Sequence, residues 1–178
     1  GRVYCWGNSQ YGELNVPSGL NATQVACGGF AACALLQDST VRCWGYYVSG
    51  QPSFVARATS IALGLYQGCA ILAPDGQVTC WSSQYTNYQF IPSGMPADLK
   101  ATKICSGNSH VCAIKAGSGE LACYGDNSFG QINVRSSQFQ PELRHGCLFV
   151  LNNGTFRFIW YDGVPGPWHS IDYTRLTG

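Results

Sequence analysis

Three stretches of this chain share one pattern, and that repetition limits the possible folds more than any single residue does. Cys33-Ala34-Leu35-Leu36 leads through Gln37-Asp38-Ser39-Thr40 to Val41-Arg42-Cys43-Trp44-Gly45. Cys69-Ala70-Ile71-Leu72 leads through Ala73-Pro74-Asp75-Gly76 to Val78-Thr79-Cys80-Trp81. Cys112-Ala113-Ile114 leads through Gly117-Ser118-Gly119 to Leu121-Ala122-Cys123-Tyr124-Gly125. Each unit is a Cys, a short apolar run, a turn rich in Asp, Gly and Ser, a second short run, and a Cys followed by an aromatic residue. A unit of this size cannot bury its apolar face alone, so copies must stack on their neighbours. Such arrays build scaffolds and binding surfaces rather than a single catalytic cleft.

The period extends beyond the hairpin. The aromatic residue after the second Cys, at Trp6, Trp44, Trp81 and Tyr124, recurs about every 40 residues. Six residues further on stand Gly12, Gly50, Asn87 and Gly130, residue types that tolerate positive φ, which predicts one turn used four times. Thr23-Gln24-Val25-Ala26, Thr59-Ser60-Ile61-Ala62 and Thr102-Lys103-Ile104-Cys105 are β-prone runs, each closed by a Gly turn at Gly28-Gly29, Gly64 and Gly107. A fourth, degraded copy runs from Cys147 through Asn152-Asn153-Gly154 to Phe158, which stands where the second Cys is expected.

Composition agrees with short strands. Charged residues make up 11% and aromatics 13%, with 22 glycines. That mixture suits strands and turns, and no stretch carries a sustained helical stripe of apolar residues. The reading is an all-β chain of four to five repeat units of short antiparallel strands. Residues 1–158 form the repeats, at about 1–39, 40–75, 76–118 and 119–158. Residues 159–178, rich in aromatics and containing Pro165-Gly166-Pro167, form an extension that packs on the repeats or on a partner. The chain opens at Gly1-Arg2-Val3-Tyr4-Cys5-Trp6-Gly7, the second half of a hairpin. Either further chain precedes it, or this first strand completes the last blade and removes a sheet edge.

The ten cysteines set the expected compartment. A hairpin turn returns Cys43 to Cys33, Cys80 to Cys69 and Cys123 to Cys112, close enough for disulfides. Cys5, Cys27, Cys105 and Cys147 lack local partners, and three pairings among them stay open; Cys27 and Cys105 read as equivalent positions in the first and third repeats. Zinc is disfavoured because no Cys pair has the two-to-four-residue spacing of structural sites. A disulfide framework of this density belongs to oxidising surroundings. Two glycosylation sequons, Asn21-Ala22-Thr23 and Asn153-Gly154-Thr155, point the same way.

The hairpin pattern, the Gly50-Gln51 and Gly130-Gln131 pairs, and Gly107-Asn108-Ser109-His110-Val111-Cys112-Ala113 together resemble the regulator-of-chromosome-condensation repeat family in its extracellular, cysteine-containing form. The resemblance covers roughly residues 1–158. It implies a β-propeller of four-stranded blades; members commonly carry seven, more than this chain holds. It also implies protein-binding roles, as in plant receptor-kinase ectodomains and a bacterial secreted enzyme inhibitor.

Candidate chemistry is sparse. No nucleophile elbow, phosphate loop or HExxH motif occurs, and no cofactor signature is present. His110 and His145 each stand two residues before a repeat Cys, which reads as packing. Asp38 and Asp75 read as turn formers. The expectation is a secreted, non-enzymatic structural or protein-binding module of a larger extracellular protein or assembly. Its partners would be other extracellular proteins or further copies of the same array. Tyr46, Tyr47, Tyr85, Tyr88, Trp160, Tyr161, Trp168 and Tyr173 are the candidate contacts, being large, amphipathic and cheap to order. A carbohydrate-binding propeller is the alternative, with these rings stacking on sugars. Nucleotide exchange with chromatin binding, the nuclear role in the family, conflicts with the cysteines and sequons. A net charge of +1 with scattered Lys and Arg offers no nucleic-acid footprint. No apolar run reaches the ~20 residues of a membrane-crossing helix.

Overall fold

A computed structural model describes residues 1–7, 9–46, 55, 57–65, 67–82, 85–89, 91–128, 132–133, 145–150, 156–161 and 169–173, with only the backbone course described for 85–89 and for the last three stretches. The β-prone runs become strands, joined antiparallel in sequence order. The first sheet holds β1 (Ala22–Cys27), β2 (Ala31–Leu36) and β3 (Val41–Gly45). The second holds β4 (Ala58–Leu63), β5 (Gln67–Leu72), β6 (Val78–Ser82) and β7 (Tyr85–Gln89). The third holds β8 (Ala101–Ser106), β9 (His110–Lys115) and β10 (Leu121–Gly125). The fourth holds β11 (His145–Val150), β12 (Phe156–Tyr161) and β13 (His169–Tyr173).

The hairpin cysteines face each other across the ladder. Disulfides join Cys33 to Cys43, Cys69 to Cys80 and Cys112 to Cys123, each with Cα atoms 4.0 Å apart. Asp38 shapes its turn by accepting hydrogen bonds from the Thr40 backbone NH (3.0 Å) and hydroxyl (2.6 Å). The glycine after the aromatic residue has a steric reason. Gly45 and Gly125 have φ of 112° and 113°, and a Cβ on either would lie 2.5 Å from a carbonyl oxygen of the preceding turn.

The first three sheets stack one after another. Cys33, Leu35, Val41 and Cys43 of the first sheet pack against Ala58, Ile61, Leu63, Ala70 and Trp81 of the second. Cys69, Ile71, Val78 and Cys80 in turn pack against Ala101, Val111 and Ala113, with Met95 and Leu99 wedged in from the loop before β8. The first two staples therefore lie inside the intersheet cores, out of water, while in the third Cys112 is buried and Cys123 half-buried. Glycines bring the sheets to backbone contact at one end. A Cβ on Gly28 would lie 2.2 Å from the Gly64 carbonyl oxygen, and one on Gly64 would lie 1.8 Å from that of Gly107. Gln24 bridges the first two sheets by donating to the Ile61 carbonyl (2.8 Å) and accepting from its NH (3.0 Å). Thr23, Thr59 and Thr102 each donate a hydroxyl across to the neighbouring strand, at Leu35, Ile71 and Ile114.

Several expectations are corrected by register. Cys147 stands opposite Ile159, not Phe158, so Ile159 occupies the second-Cys position and Trp160 is the aromatic that follows it. Asn87 lies inside β7, so residues 85–89 form a strand where a loop and a reused turn were expected. Cys105 pairs across the ladder with Cys112, whereas Cys27 pairs with Ala32 and it is Ala26 that faces Cys33. The two cysteines are thus offset by one residue and point to opposite faces. The expected boundary at residue 158 falls inside β12, and β13 adds a third strand, so residues 159–161 and 169–173 belong to the fourth sheet. The unit boundaries at 39/40, 75/76 and 118/119 fall in hairpin turns, so each sheet takes strands from two such units.

Candidate functional site

Among the described residues, the most accessible apolar surface lies at the outer face of the first sheet. Val3, Cys5, Val16 and Leu20 pack on Ala32, Ala34 and Trp44 there. The cover is one chain segment, not a sheet. Tyr4 and Trp6 are consequently 73% and 86% exposed, and Val25 is 42% exposed. Ile61, which holds Val25's place one repeat later, is buried because a whole sheet covers it.

A ring cluster sits beside this face, at the end of the sheet where the glycine turns meet. Tyr11 lies edge-on to Phe30, with centroids 5.1 Å apart, and tilted against Tyr46 at 4.5 Å. Phe30 comes from the β1–β2 turn and Tyr46 from just after β3, where its NH bonds the Phe30 carbonyl oxygen. The Tyr11 NH is held by the Glu13 carboxylate at 2.8 Å, and the Trp44 indole NH by the Glu13 carbonyl at 2.8 Å. Preorganised aromatic groups of this kind suit protein contacts.

The polar groups present do not assemble into a reaction centre among the described residues. A cleft of about 210 Å³ lies between β6 and the 91–97 loop, lined by Leu72, Val78, Ile91 and Met95 with Gln77 and Thr79, and no ionisable side chain lines it. His110 is 2% exposed, its ring packed over Gly107, where a Cβ would come within 2.1 Å of it. Burial pushes its pKa down to about 4, with Asp126 opposing the shift. The Asp38 and Asp75 carboxyls are held below the usual range by hydrogen bonds from Thr40 and Gln77 within their own turns. No group of three or more His, Cys, Asp or Glu side chains converges as a metal cage among the described residues. No helix among them is long and apolar enough to cross a membrane.

The predicted residues divide as follows. Tyr46 is half-buried in the ring cluster. Tyr85 and Tyr88 lie on β7, Trp160 and Tyr161 on β12, and Tyr173 on β13; their side chains lie outside the described residues, as do Tyr47 and Trp168. Asn21 is exposed just before β1, its side-chain amide donating to Gln37 at 2.8 Å and accepting from the Gly1 ammonium at 2.8 Å. Asn153 lies outside the described residues. Cys105 is disulfide-bonded, Cys5 and Cys27 are free thiols, and the Cys147 side chain lies outside the described residues. Sequence reasoning missed Tyr4, Trp6, Tyr11 and Phe30. The alternation of Val3 and Cys5 with Tyr4 and Trp6 was the available signal.

Comparison with known proteins follows this geometry. The family described as Regulator of chromosome condensation (RCC1) repeat matches residues 22–51 and 101–131. The ectodomain of the Physcomitrella patens receptor kinase CR4 superposes with a TM-score of 0.57 at 26% identity, over 68% of this chain and 33% of that one. The CRINKLY WD40 ectodomain of the Arabidopsis thaliana receptor kinase ACR4 gives 0.54 at 22% identity, over 68% and 42%. Saccharomyces cerevisiae Prp20p, described with its binding to Gsp1p and histones, gives 0.56 at 16%, over 88% and 52%. The chain thus spans between a third and about half the length of these structures.

Proposed function

This chain carries regulator-of-chromosome-condensation-type repeats in a propeller-type, disulfide-stapled all-β fold, and from that premise we propose that it is a secreted, non-enzymatic module of a larger extracellular assembly that works by binding protein. The observation that carries the reading is the stack itself. The first sheet buries the second and the second the third through a repeated pair of faces, and the segment over the first sheet still presents Tyr4 and Trp6 to solvent, with Val25 of that sheet, beside the Tyr11–Phe30–Tyr46 cluster. A surface of that kind suits another extracellular protein or a further array of the same repeat. The exposed Asn21 supports glycosylation in the secretory route, and the three hairpin disulfides support an oxidising compartment. The lack of ionisable lining in the cleft supports a non-enzymatic role.

The test is to express the chain behind a secretion leader and measure self-association by sedimentation, with a glycan array in parallel. Concentration-dependent association that Trp6→Ala weakens at least tenfold supports the reading. Dose-dependent binding to one sugar class, with no self-association, overturns it in favour of a lectin. Retention of reduced, unglycosylated chain inside the cell overturns the secreted assignment.

A further inference from the structure

Residues 3–7 repeat the sequence of β3, Val3-Tyr4-Cys5-Trp6-Gly7 against Val41-Arg42-Cys43-Trp44-Gly45. In β3 the cysteine is stapled to Cys33 on the neighbouring strand. Cys5 has no such bond. Its segment instead lies over the first sheet, with Val3 and Cys5 turned onto Ala32, Ala34 and Trp44 and with Tyr4 and Trp6 turned out. Cys27 belongs to that same face. It stands directly opposite Ala32 in the ladder, and directly opposed residues point to one side of a sheet.

The repeat does not account for Cys27. Its counterparts are Leu63, opposite Gly68, and Ser106, opposite Val111. It also precedes Gly28, the turn at which successive sheets reach backbone contact. Gly1 exchanges hydrogen bonds with Ala22, which pins the start of the covering segment beside the start of β1. The thiols already sense each other, since the Cys27 pKa is raised first by burial and then by Cys5.

We propose that Cys5 and Cys27 close a disulfide that clasps residues 3–7 onto β1, joining two layers of the fold where the hairpin staples join neighbouring strands of one sheet. The oxidant is a small disulfide such as oxidised glutathione. One protein thiolate attacks it, forming a mixed disulfide and releasing one glutathione thiolate, which takes up a proton. The second protein thiolate then attacks the protein sulfur of the mixed disulfide, forming the Cys5–Cys27 bond and releasing the second glutathione thiol. Two protein thiols are oxidised and one glutathione disulfide is reduced.

The test is to equilibrate the purified chain with a glutathione redox buffer, alkylate it, and digest it without reduction. Cleavage at Tyr11, Glu13 and Phe30 places Cys5, Cys27 and Cys33 on separate peptides. The expected result is one crosslinked peptide pair holding Cys5 and Cys27, with neither residue alkylated. Cys27→Ser should expose Cys5 as one alkylatable thiol and lower amide-exchange protection of residues 3–7 by at least tenfold, with the hairpin disulfides unchanged. Alkylation of both cysteines in the unsubstituted chain overturns the proposal. So does a crosslink from either to any other cysteine, including one in a second copy. The mapping of the unsubstituted chain decides even where a variant folds poorly.

Discussion

Trp81 and Trp44 stand at the same place in successive repeats yet live in different surroundings. Trp81 is fully buried between two sheets, flat against Gly68, where a Cβ would lie 2.3 Å from the indole. Its indole NH finds no acceptor among the described residues. Trp44 is 5% exposed under a single chain segment, and its NH is held by the Glu13 carbonyl. Trp6, the third copy, has nothing over it. The same Cys-Trp pair therefore gives a core residue, a covered residue or a surface residue according to what stacks on it. Burial in a repeat array is a property of neighbours rather than of the unit.

The strongest way to break this comparison is to strike the indole between the sheets. Trp81→Ala should destabilise by about 3–5 kcal/mol, Trp44→Ala by less, and Trp6→Ala by no more than about 0.5 kcal/mol. Urea denaturation of the three variants checks the ranking, and equal losses at Trp6 and Trp81 would sink it. Gly64→Ala places a methyl against the Gly107 backbone and should cost about 3 kcal/mol, whereas alanine at Gly19, which has nothing within 4 Å, meets only its positive φ and should cost about 1 kcal/mol. A thermal melt of each distinguishes them.

His110 extends the comparison to polar residues, because Gln67 holds its position one sheet earlier and reaches Ser106 at 3.2 Å. The unfolded imidazole takes its proton near 6.5 and the folded one only near 4. Between those values the unfolded chain binds more protons, so stability is full above about pH 6.5 and falls on acidification towards pH 4, by about 3 kcal/mol. His110→Gln should flatten this slope in denaturation curves taken across that range. A modest effect is expected at Gln24, whose amide bridges the first two sheets. Gln24→Ala should lose about 1–2 kcal/mol, and Gln24→Glu, which keeps the acceptor but loses the donor, should recover part of that loss in the same assay.

Much of the fold was legible in the residues. Cys33-to-Cys43 spacing predicted a hairpin because two strands and a turn must return one sulfur to the other, and Asp38 marked that turn through its side-chain oxygen. Register was not legible to the last residue. Phe158 and Ile159 are both apolar and adjacent, so only the ladder shows which faces Cys147. Cys27 and Cys105 resembled each other in flanking sequence while pointing to opposite faces, since a strand turns its side chain over with each step. Residues 85–89 read as a loop because Asn87 suggested a turn, and pairing with β6 overrode that local preference.

The candidate surface was less legible than the fold. Tyr46 was chosen for its residue type, yet Tyr11 and Phe30, which give it a fixed setting, come from loops distant in sequence.

By itself the sequence determined the repeating hairpin, its sulfur staples and the all-β class. These follow from contacts within about a dozen residues, where spacing leaves the chain little freedom. Only the tertiary structure decided which copy of each repeated residue is buried, which face of its sheet Cys27 takes, and where apolar rings meet water. Those outcomes depend on one sheet meeting the next, and a pattern identical in every unit carries no information about which neighbour it has.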